Sequence, residues 1–171
     1  SMMAITGSAG VNTVAVDAGA TLVATGDLGD GSDMLDVAGM LDLNGGDFDL
    51  GDGDDTLVLH DGADLTALAT AIDGGAGNDT LTADIATQAT LGGAAGFETL
   101  VKQGEGRFTV AGPADSQFDS VLVHQGELEI AAGALVDPRT TVVDAGSTMT
   151  IDGTYHGTAD ADSFTLSGTL A

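Results

Sequence analysis

Short runs of alternating apolar residues punctuate this chain: Val14-Ala15-Val16, Leu57-Val58-Leu59, Val121-Leu122-Val123, Leu128-Glu129-Ile130 and Thr148-Met149-Thr150-Ile151. Period-two alternation rich in β-branched residues, bounded by Gly, Asp and Asn, is a strand signal. Helical spacing is nearly absent. Only Leu65-Thr66-Ala67-Leu68-Ala69-Thr70-Ala71-Ile72 reads as one or two turns of helix, inserted in the longest repeat. The strand runs return at a steady period, each opened by a polar residue, then Thr, Ser or Met. They begin at Asn12-Thr13-Val14, Asp33-Met34-Leu35, Asp55-Thr56-Leu57, Asp79-Thr80-Leu81, Glu98-Thr99-Leu100, Asp119-Ser120-Val121, Arg139-Thr140-Thr141 and Asp162-Ser163-Phe164. The steps between first members are 21, 22, 24, 19, 21, 20 and 23 residues. A series of glycines follows in phase, at Gly19, Gly39, Gly62, Gly104, Gly126, Gly146 and Gly168, with a gap near Ala83-Asp84.

Repeats at this period mean stacked units, none of which can bury its apolar face alone. Two or three short strands per turn would pair with their equivalents one rung away, at about 4.8 Å. The expected fold is all-β, a right-handed parallel β-helix, because parallel crossovers take that hand in nearly all cases. It would have about eight rungs of roughly 21 residues over 11–171, a rod roughly 35–40 Å long. Residues 1–10 read as a tag remnant, Ser1-Met2, and an N-terminal edge. Unpaired strand edges at the two ends of such a rod would favour fraying or end-to-end association.

Composition sharpens this picture. With 43% hydrophobic residues the chain can fill a narrow core, whereas a disordered acidic segment would be poor in them. Five Phe, one Tyr and no Trp leave that core to Val, Leu, Ile, Ala and Thr. Twenty-seven Gly against two Pro imply many tight corners. Twenty-seven acidic and three basic residues give a formal charge of −24, which argues against nucleic acid and anionic membrane surfaces as partners. Divalent cations and basic surfaces are the partners such a charge favours. There is no cysteine, hence no disulfide framework or thiolate metal site. No apolar run approaches a membrane-spanning helix. The N-terminus has no basic region followed by an apolar one, so no signal peptide is legible.

Three repeats carry a glycine-aspartate loop before the strand: Leu28-Gly29-Asp30-Gly31-Ser32-Asp33-Met34-Leu35, Leu50-Gly51-Asp52-Gly53-Asp54-Asp55-Thr56-Leu57, and Gly74-Gly75-Ala76-Gly77-Asn78-Asp79-Thr80-Leu81. The last, continued through Thr82, resembles the G-G-x-G-x-D-x-U-x nonapeptide of calcium-binding RTX proteins. The other two depart from it at the first glycine, where Leu28 and Leu50 stand. Carboxylates are hard oxygen donors suited to Ca²⁺, and the resemblance makes Asp30, Asp33, Asp52, Asp55 and Asp79 candidate ligands between successive rungs. RTX arrays repeat every nine residues, which this chain does not. A fourth loop, Gly92-Gly93-Ala94-Ala95-Gly96-Phe97-Glu98, has one extra residue and Glu for Asp. The competing reading makes each Asp a corner residue that caps N–H groups of its own turn.

Other chemistry is thin. His60 and His124 each precede a corner glycine by two residues, as Lys102 does, which places all three at one solvated corner position. Neither they nor His156 fall in a zinc-type spacing, and no G-x-S-x-G is present. Three basic residues and one tyrosine argue against a polysaccharide-processing groove. No catalytic site is expected.

The stretch Gly96-Phe97-Glu98-Thr99-Leu100-Val101-Lys102-Gln103-Gly104-Glu105-Gly106-Arg107-Phe108-Thr109-Val110-Ala111-Gly112-Pro113 resembles a repeat of autotransporter passenger domains. Val123-His124-Gln125-Gly126-Glu127-Leu128-Glu129-Ile130 and Asp144-Ala145-Gly146-Ser147-Thr148-Met149-Thr150-Ile151 resemble further rungs of that family. The solenoid thus divides into Gly-Asp-loop rungs over 11–95 and autotransporter-type rungs over 96–171. The resemblance implies a Gram-negative type V secreted protein, non-enzymatic here, whose β-helix is presented at the cell surface by its own C-terminal outer-membrane barrel. Such a segment would serve as an adhesin-like stalk or interaction face toward a host surface or extracellular protein, without inserting into the membrane itself. The alternative is a calcium-binding RTX-like module of a secreted protein.

Overall fold

The computed structural model describes residues 3–63, 72–92, 94–111, 115–116, 118–156, 163–166 and 168–171. The described residues form strands, turns and no helix. The helical turn expected over 65–72 lies outside them except for Ile72, which opens the strand Ile72–Asp73.

The chain winds as a parallel β-solenoid with three strand positions per turn. The first position supplies one sheet of eight parallel strands: Thr13–Val16, Met34–Val37, Thr56–His60, Thr80–Asp84, Thr99–Gln103, Ser120–Val123, Thr140–Val143 and Ser163–Leu166. Their paired first residues are separated by 21, 22, 24, 19, 21, 20 and 23 residues, the same steps that the repeat shows in sequence. Seven turns joining eight strands make a rod of about 34 Å at the usual interstrand spacing.

The second position is filled at one end by Thr21–Asp27 against Met40–Asp42, and farther on by Gln88–Leu91, Arg107–Val110, Glu127–Ile130, Thr148–Ile151 and Thr169–Leu170. The third carries Met3–Thr6, the second half of Thr21–Asp27, Phe48–Asp49, Ile72–Asp73 and Ala94–Ala95, then Asp115–Ser116, Leu135–Val136 and Thr154–Tyr155.

Strand alternation sends every second side chain inward, so the core is a set of columns running along the rod. Leu35, Leu57, Leu81, Leu100 and Val121 form one column, continued by the buried Thr141. Phe48, Ile72 and Ala94 form another. Each fully buried Leu contributes about 1.5–3 kcal/mol, and none could be buried by a rung standing alone.

The in-phase glycines serve two purposes. Gly19, Gly62, Gly104, Gly126 and Gly146 turn corners with positive φ, whereas Gly39 has no such φ and is needed because a Cβ there would lie 2.4 Å from the Ala20 carbonyl oxygen.

A stacked corner therefore tolerates less than an open one. At Gly53, φ is 141° and a Cβ would lie 1.5 Å from the Gly31 carbonyl oxygen, whereas at Gly19, with φ of 77°, it would meet nothing within 4 Å. Gly19→Ala is expected to cost about 1–2 kcal/mol, and Gly53→Ala about 3 kcal/mol or more because clash adds to strain. Urea titrations of the two variants, followed by circular dichroism, would show equal losses if the loops did not stack.

Candidate functional site: the stacked acidic loops

The three Gly-Asp loops connect the third strand position to the first and lie one above another. Asp30 pairs with Asp52, and Asp52 with Ala76, in parallel bridges. Gly31 N donates to Asp52 O (2.8 Å), Asp52 N to Gly29 O (3.0 Å), Gly53 N to Ala76 O (2.8 Å) and Ala76 N to Gly51 O (2.9 Å). At its glycine positions the stack leaves no room for a side chain: a Cβ on Gly75 would lie 1.9 Å from Gly51 O.

The place that the RTX pattern gives to a first glycine points into the core here. Leu28 and Leu50 are buried in it. Gly74 is required at the equivalent place because a Cβ would lie 2.3 Å from Gly96 O.

The five candidate ligands separate into two groups. Asp30 and Asp52 are exposed at the loop rim. Asp33, Asp55 and Asp79 are 2%, 1% and 0% exposed, at the entry to the first strand position. One oxygen of each caps the backbone one rung back: Asn12 N donates to Asp33 Oδ1 (2.6 Å), Asp33 N to Asp55 Oδ1 (2.6 Å) and Asp55 N to Asp79 Oδ1 (2.7 Å). Asp79 N in turn donates to Glu98 Oε2 (2.7 Å). The same residues' carbonyls accept from the next rung, as in Met34 N to Asn12 O and Thr56 N to Asp33 O, each 2.9 Å. Charge-assisted bonds of this kind contribute about 1.5–3 kcal/mol each. The expectation that these aspartates cap their own turns is therefore corrected. Own-turn capping falls to another column, where Gly75 N donates to Asp73 Oδ1 (3.1 Å).

The second oxygens, Oδ2 of Asp33, Asp55 and Asp79, are buried without a hydrogen-bond partner. Burial raises the Asp79 carboxyl to about 6; the Asp55 N–H opposes the rise, and the charges of Asp55, Glu98 and Asp54 add to it. Asp55 is raised for the same leading reason, against the Asp33 N–H and helped by Asp33, Asp49 and Asp54. Outside this line, Asp27, Asp49 and Asp73 pair in register as an exposed column. Asp49 is raised by partial burial and by the charges of Asp73 and Asp27.

Three orphaned, buried carboxylate oxygens on successive rungs suit a hard divalent cation in donor chemistry. Among the described residues, however, no three or more His, Cys, Asp or Glu side chains gather at one point as a metal site.

At both ends of the line the entry residue, Asn12 or Glu98, is legible in the sequence, but the form of the loop before it is not. Gly7-Ser8-Ala9-Gly10-Val11-Asn12 is a further turn of the stack, since a Cβ on Gly31 would lie 2.7 Å from Gly10 O and one on Gly29 3.3 Å from Ser8 O. Its only sequence signal is Gly10 with Asn12 two places on, and Asn12 replaces the aspartate. At the other end, the loop read as one residue too long is shorter than its neighbours. Ala94 and Ala95 pair with Ile72 and Asp73, so only Gly96 and Phe97 remain before Glu98, against five residues before Asp79. Phe97 is buried where the loop would have been, and the longer Glu98 side chain spans the gap to Asp79 N.

Lys102 is also corrected. It is not on a solvated corner but fully buried in the core column between Ala83 and Val123. The corner after it holds four residues, 103–106, against three, 124–126, in the next rung, so counting back from glycine misplaced it by one. Its Nζ donates to the carbonyls of Gln103, Gly104 (2.7 Å) and Gln125 (3.2 Å). Burial lowers its pKa to about 8, against the charges of Asp84 and Asp61. His60 and His124 are on the surface as expected, facing Asp36 Oδ1 (3.1 Å) and Asp144 Oδ2 (2.8 Å), and His156 is exposed.

No family model, curated protein or solved structure matches this chain. Its chemistry must be read from the site alone.

The carboxylate line makes stability depend on pH with a defined sign. The folded state takes up the Asp79 proton near pH 6, and the unfolded chain only near 3.8. Falling pH through that window favours the fold; the contribution is complete below 3.8 and gone well above 6, and is worth up to about 3 kcal/mol. Urea midpoints measured from pH 7 to pH 4 should therefore rise more for the parent than for Asp79→Asn. Parallel pH profiles would refute the assignment.

Proposed function

We propose that this chain is a non-enzymatic β-helical segment of a secreted, surface-exposed autotransporter passenger, acting as a rigid stalk or interaction face. The observation that carries this reading is the unbroken parallel register of eight strands at the first position, which makes one continuous rod from the repeats. The rungs entered at Glu98 and Asp119, where the sequence resembles autotransporter repeats, support it with their two-residue corners and the buried residues Phe97 and Phe118. A rod of this kind holds an interaction face at a fixed distance from its anchor, and its net charge of −24 keeps it soluble and disfavours anionic surfaces. On this reading the partner is a host surface or extracellular protein, and a C-terminal barrel of the same protein provides the anchor. Antibodies raised against the purified rod should label intact source cells. Labelling only after permeabilisation would overturn the proposal.

A second reading is favoured by the orphaned Oδ2 atoms of Asp33, Asp55 and Asp79: the loops form a calcium-responsive module of a secreted protein. Neighbouring pairs of these side chains, Asp33 with Asp55 or Asp55 with Asp79, would hold an ion between rungs, and the ion would supply positive charge to carboxylates that burial otherwise leaves uncompensated. A ligand bound only by the folded state at 100 times its Kd adds about 2.7 kcal/mol. The melting temperature should accordingly rise by several degrees in millimolar calcium relative to excess EGTA, and Asp55→Ala should remove the rise. An unchanged melt would leave the three aspartates as structural caps alone.

A further inference from the structure

Charge compensation is not shared evenly along the rod. Residues 1–101 contain 17 Asp and Glu and no Lys or Arg; residues 102–171 contain ten acidic and all three basic residues. The basic residues are all engaged. Arg107 pairs with Glu127 (2.9 Å) and Glu129 (3.4 Å), Arg139 with Asp119 (3.5 Å), and Lys102 with three carbonyls. Of the orphaned carboxylate oxygens among the described residues, three, on the fully buried Asp33, Asp55 and Asp79, belong to rungs before Glu98, and one, on the half-buried Asp137, to a rung after it.

The same boundary is built into the backbone. Up to Asp79 the entry to the first strand position runs through a five-residue glycine loop; at Glu98 and Asp119 two residues suffice. There Phe97 and Phe118 are buried one residue before the entry position, which is itself Glu98 and then the exposed Asp119. The acidic line ends where apolar packing takes over.

We propose that the solenoid is divided at the turn between Asp79 and Glu98 into a cation-responsive N-terminal segment and a cation-independent C-terminal one. This rests on the divalent-cation reading of Asp33, Asp55 and Asp79 and adds to it a location and a limit. In a solenoid each rung contacts only its neighbours, so stability is a sum of local terms and one half can respond without the other. The N-terminal rungs place acidic columns one rung apart and hold buried carboxylates without counter-charge, which is where a bound cation changes local stability. The C-terminal rungs pair Glu127, Glu129, Asp119 and Asp144 with Arg107, Arg139 and His124, and among their described residues one carboxylate oxygen, Oδ1 of Asp137, is orphaned. They provide a constant parallel edge on which the N-terminal rungs order when cation is present.

The test is amide hydrogen exchange of the whole chain, read peptide by peptide by mass spectrometry. Calcium chloride is compared with EGTA at matched ionic strength, and magnesium chloride serves as a second probe. Amides in 7–60 and 72–84 should exchange about tenfold or more slowly in calcium, the factor expected once the ion exceeds its Kd about tenfold. Amides in 99–110 and 118–151 should keep their rates. Slowing of similar size on both sides of the boundary would overturn the division while sparing the cation reading. No slowing anywhere would remove the cation reading itself. Asp55→Asn, which retains an acceptor for the Asp33 N–H but loses the charge, should abolish the N-terminal slowing and leave the C-terminal rates unchanged.

Discussion

Parallel hydrogen bonding between one turn and the next is the constraint on which everything else in this molecule depends. A rung of about 21 residues has no interior of its own; its apolar side chains become buried only when neighbours stack above and below. Register must therefore hold at every step, because a slip of one residue would turn Leu57 or Leu81 outward. Insertions are confined to corners, where the chain can lengthen without disturbing the pairs. The steps accordingly vary from 19 to 24 residues while the first-position strands stay aligned. The corner after Lys102 grows by a residue, the entry before Glu98 loses three, and the inward columns continue through both.

The carboxylate line is a special case of this stacking. At the strand entry, a backbone N–H meets a side-chain oxygen from the next rung in place of a main-chain carbonyl. The arrangement fixes one aspartate per rung and selects its acceptor geometry, but it uses only one oxygen of each carboxylate. The other is removed from water with nothing to offset the loss, and that residue of unsatisfied charge makes the line more than a set of corners. Lys102 shows the opposite solution inside the same core. A cation takes the place that Ala83 and Val123 hold in adjacent rungs, and it is accommodated because three carbonyls turn toward it.

Much of this was legible in the sequence because the period is carried by residues with strong local requirements. Asp-Thr-Leu and its variants mark strand entry, and each spacing between them is the spacing of a parallel pair. Glycine was a weaker guide, since it occurs wherever φ is positive and also wherever a carbonyl of the rung below lies too close for a Cβ. Gly104 and Gly126 are similar in sequence but not equivalent in register, which is why Lys102 was assigned to the surface. The turn at Gly7 to Asn12 was hidden because its last residue is an amide, whose Nδ2 donates to the carbonyls of Ser8 and Leu28 where the aspartates only accept. The division of Asp30 and Asp52 from Asp33, Asp55 and Asp79 was hidden because one-residue differences decide inward from outward, and a loop sets no alternation by which to count them.

The orphaned oxygens also bear on why the glycine loops stop where they do. A further loop rung after Asp79 would extend the line with another buried carboxylate beside those of Asp55 and Asp79, which burial already raises, with repulsion from the aspartate one rung back adding to it. Glu98 avoids this by reaching the Asp79 N–H from a half-buried position, and the shortened turn brings Phe97 into the core. One substitution and a three-residue deletion thereby end an electrostatic array and begin an apolar one without breaking a single first-position pair. The rod is continuous in its backbone and discontinuous in its electrostatics, and a solenoid permits that combination because its sheets are held together locally, one interface at a time.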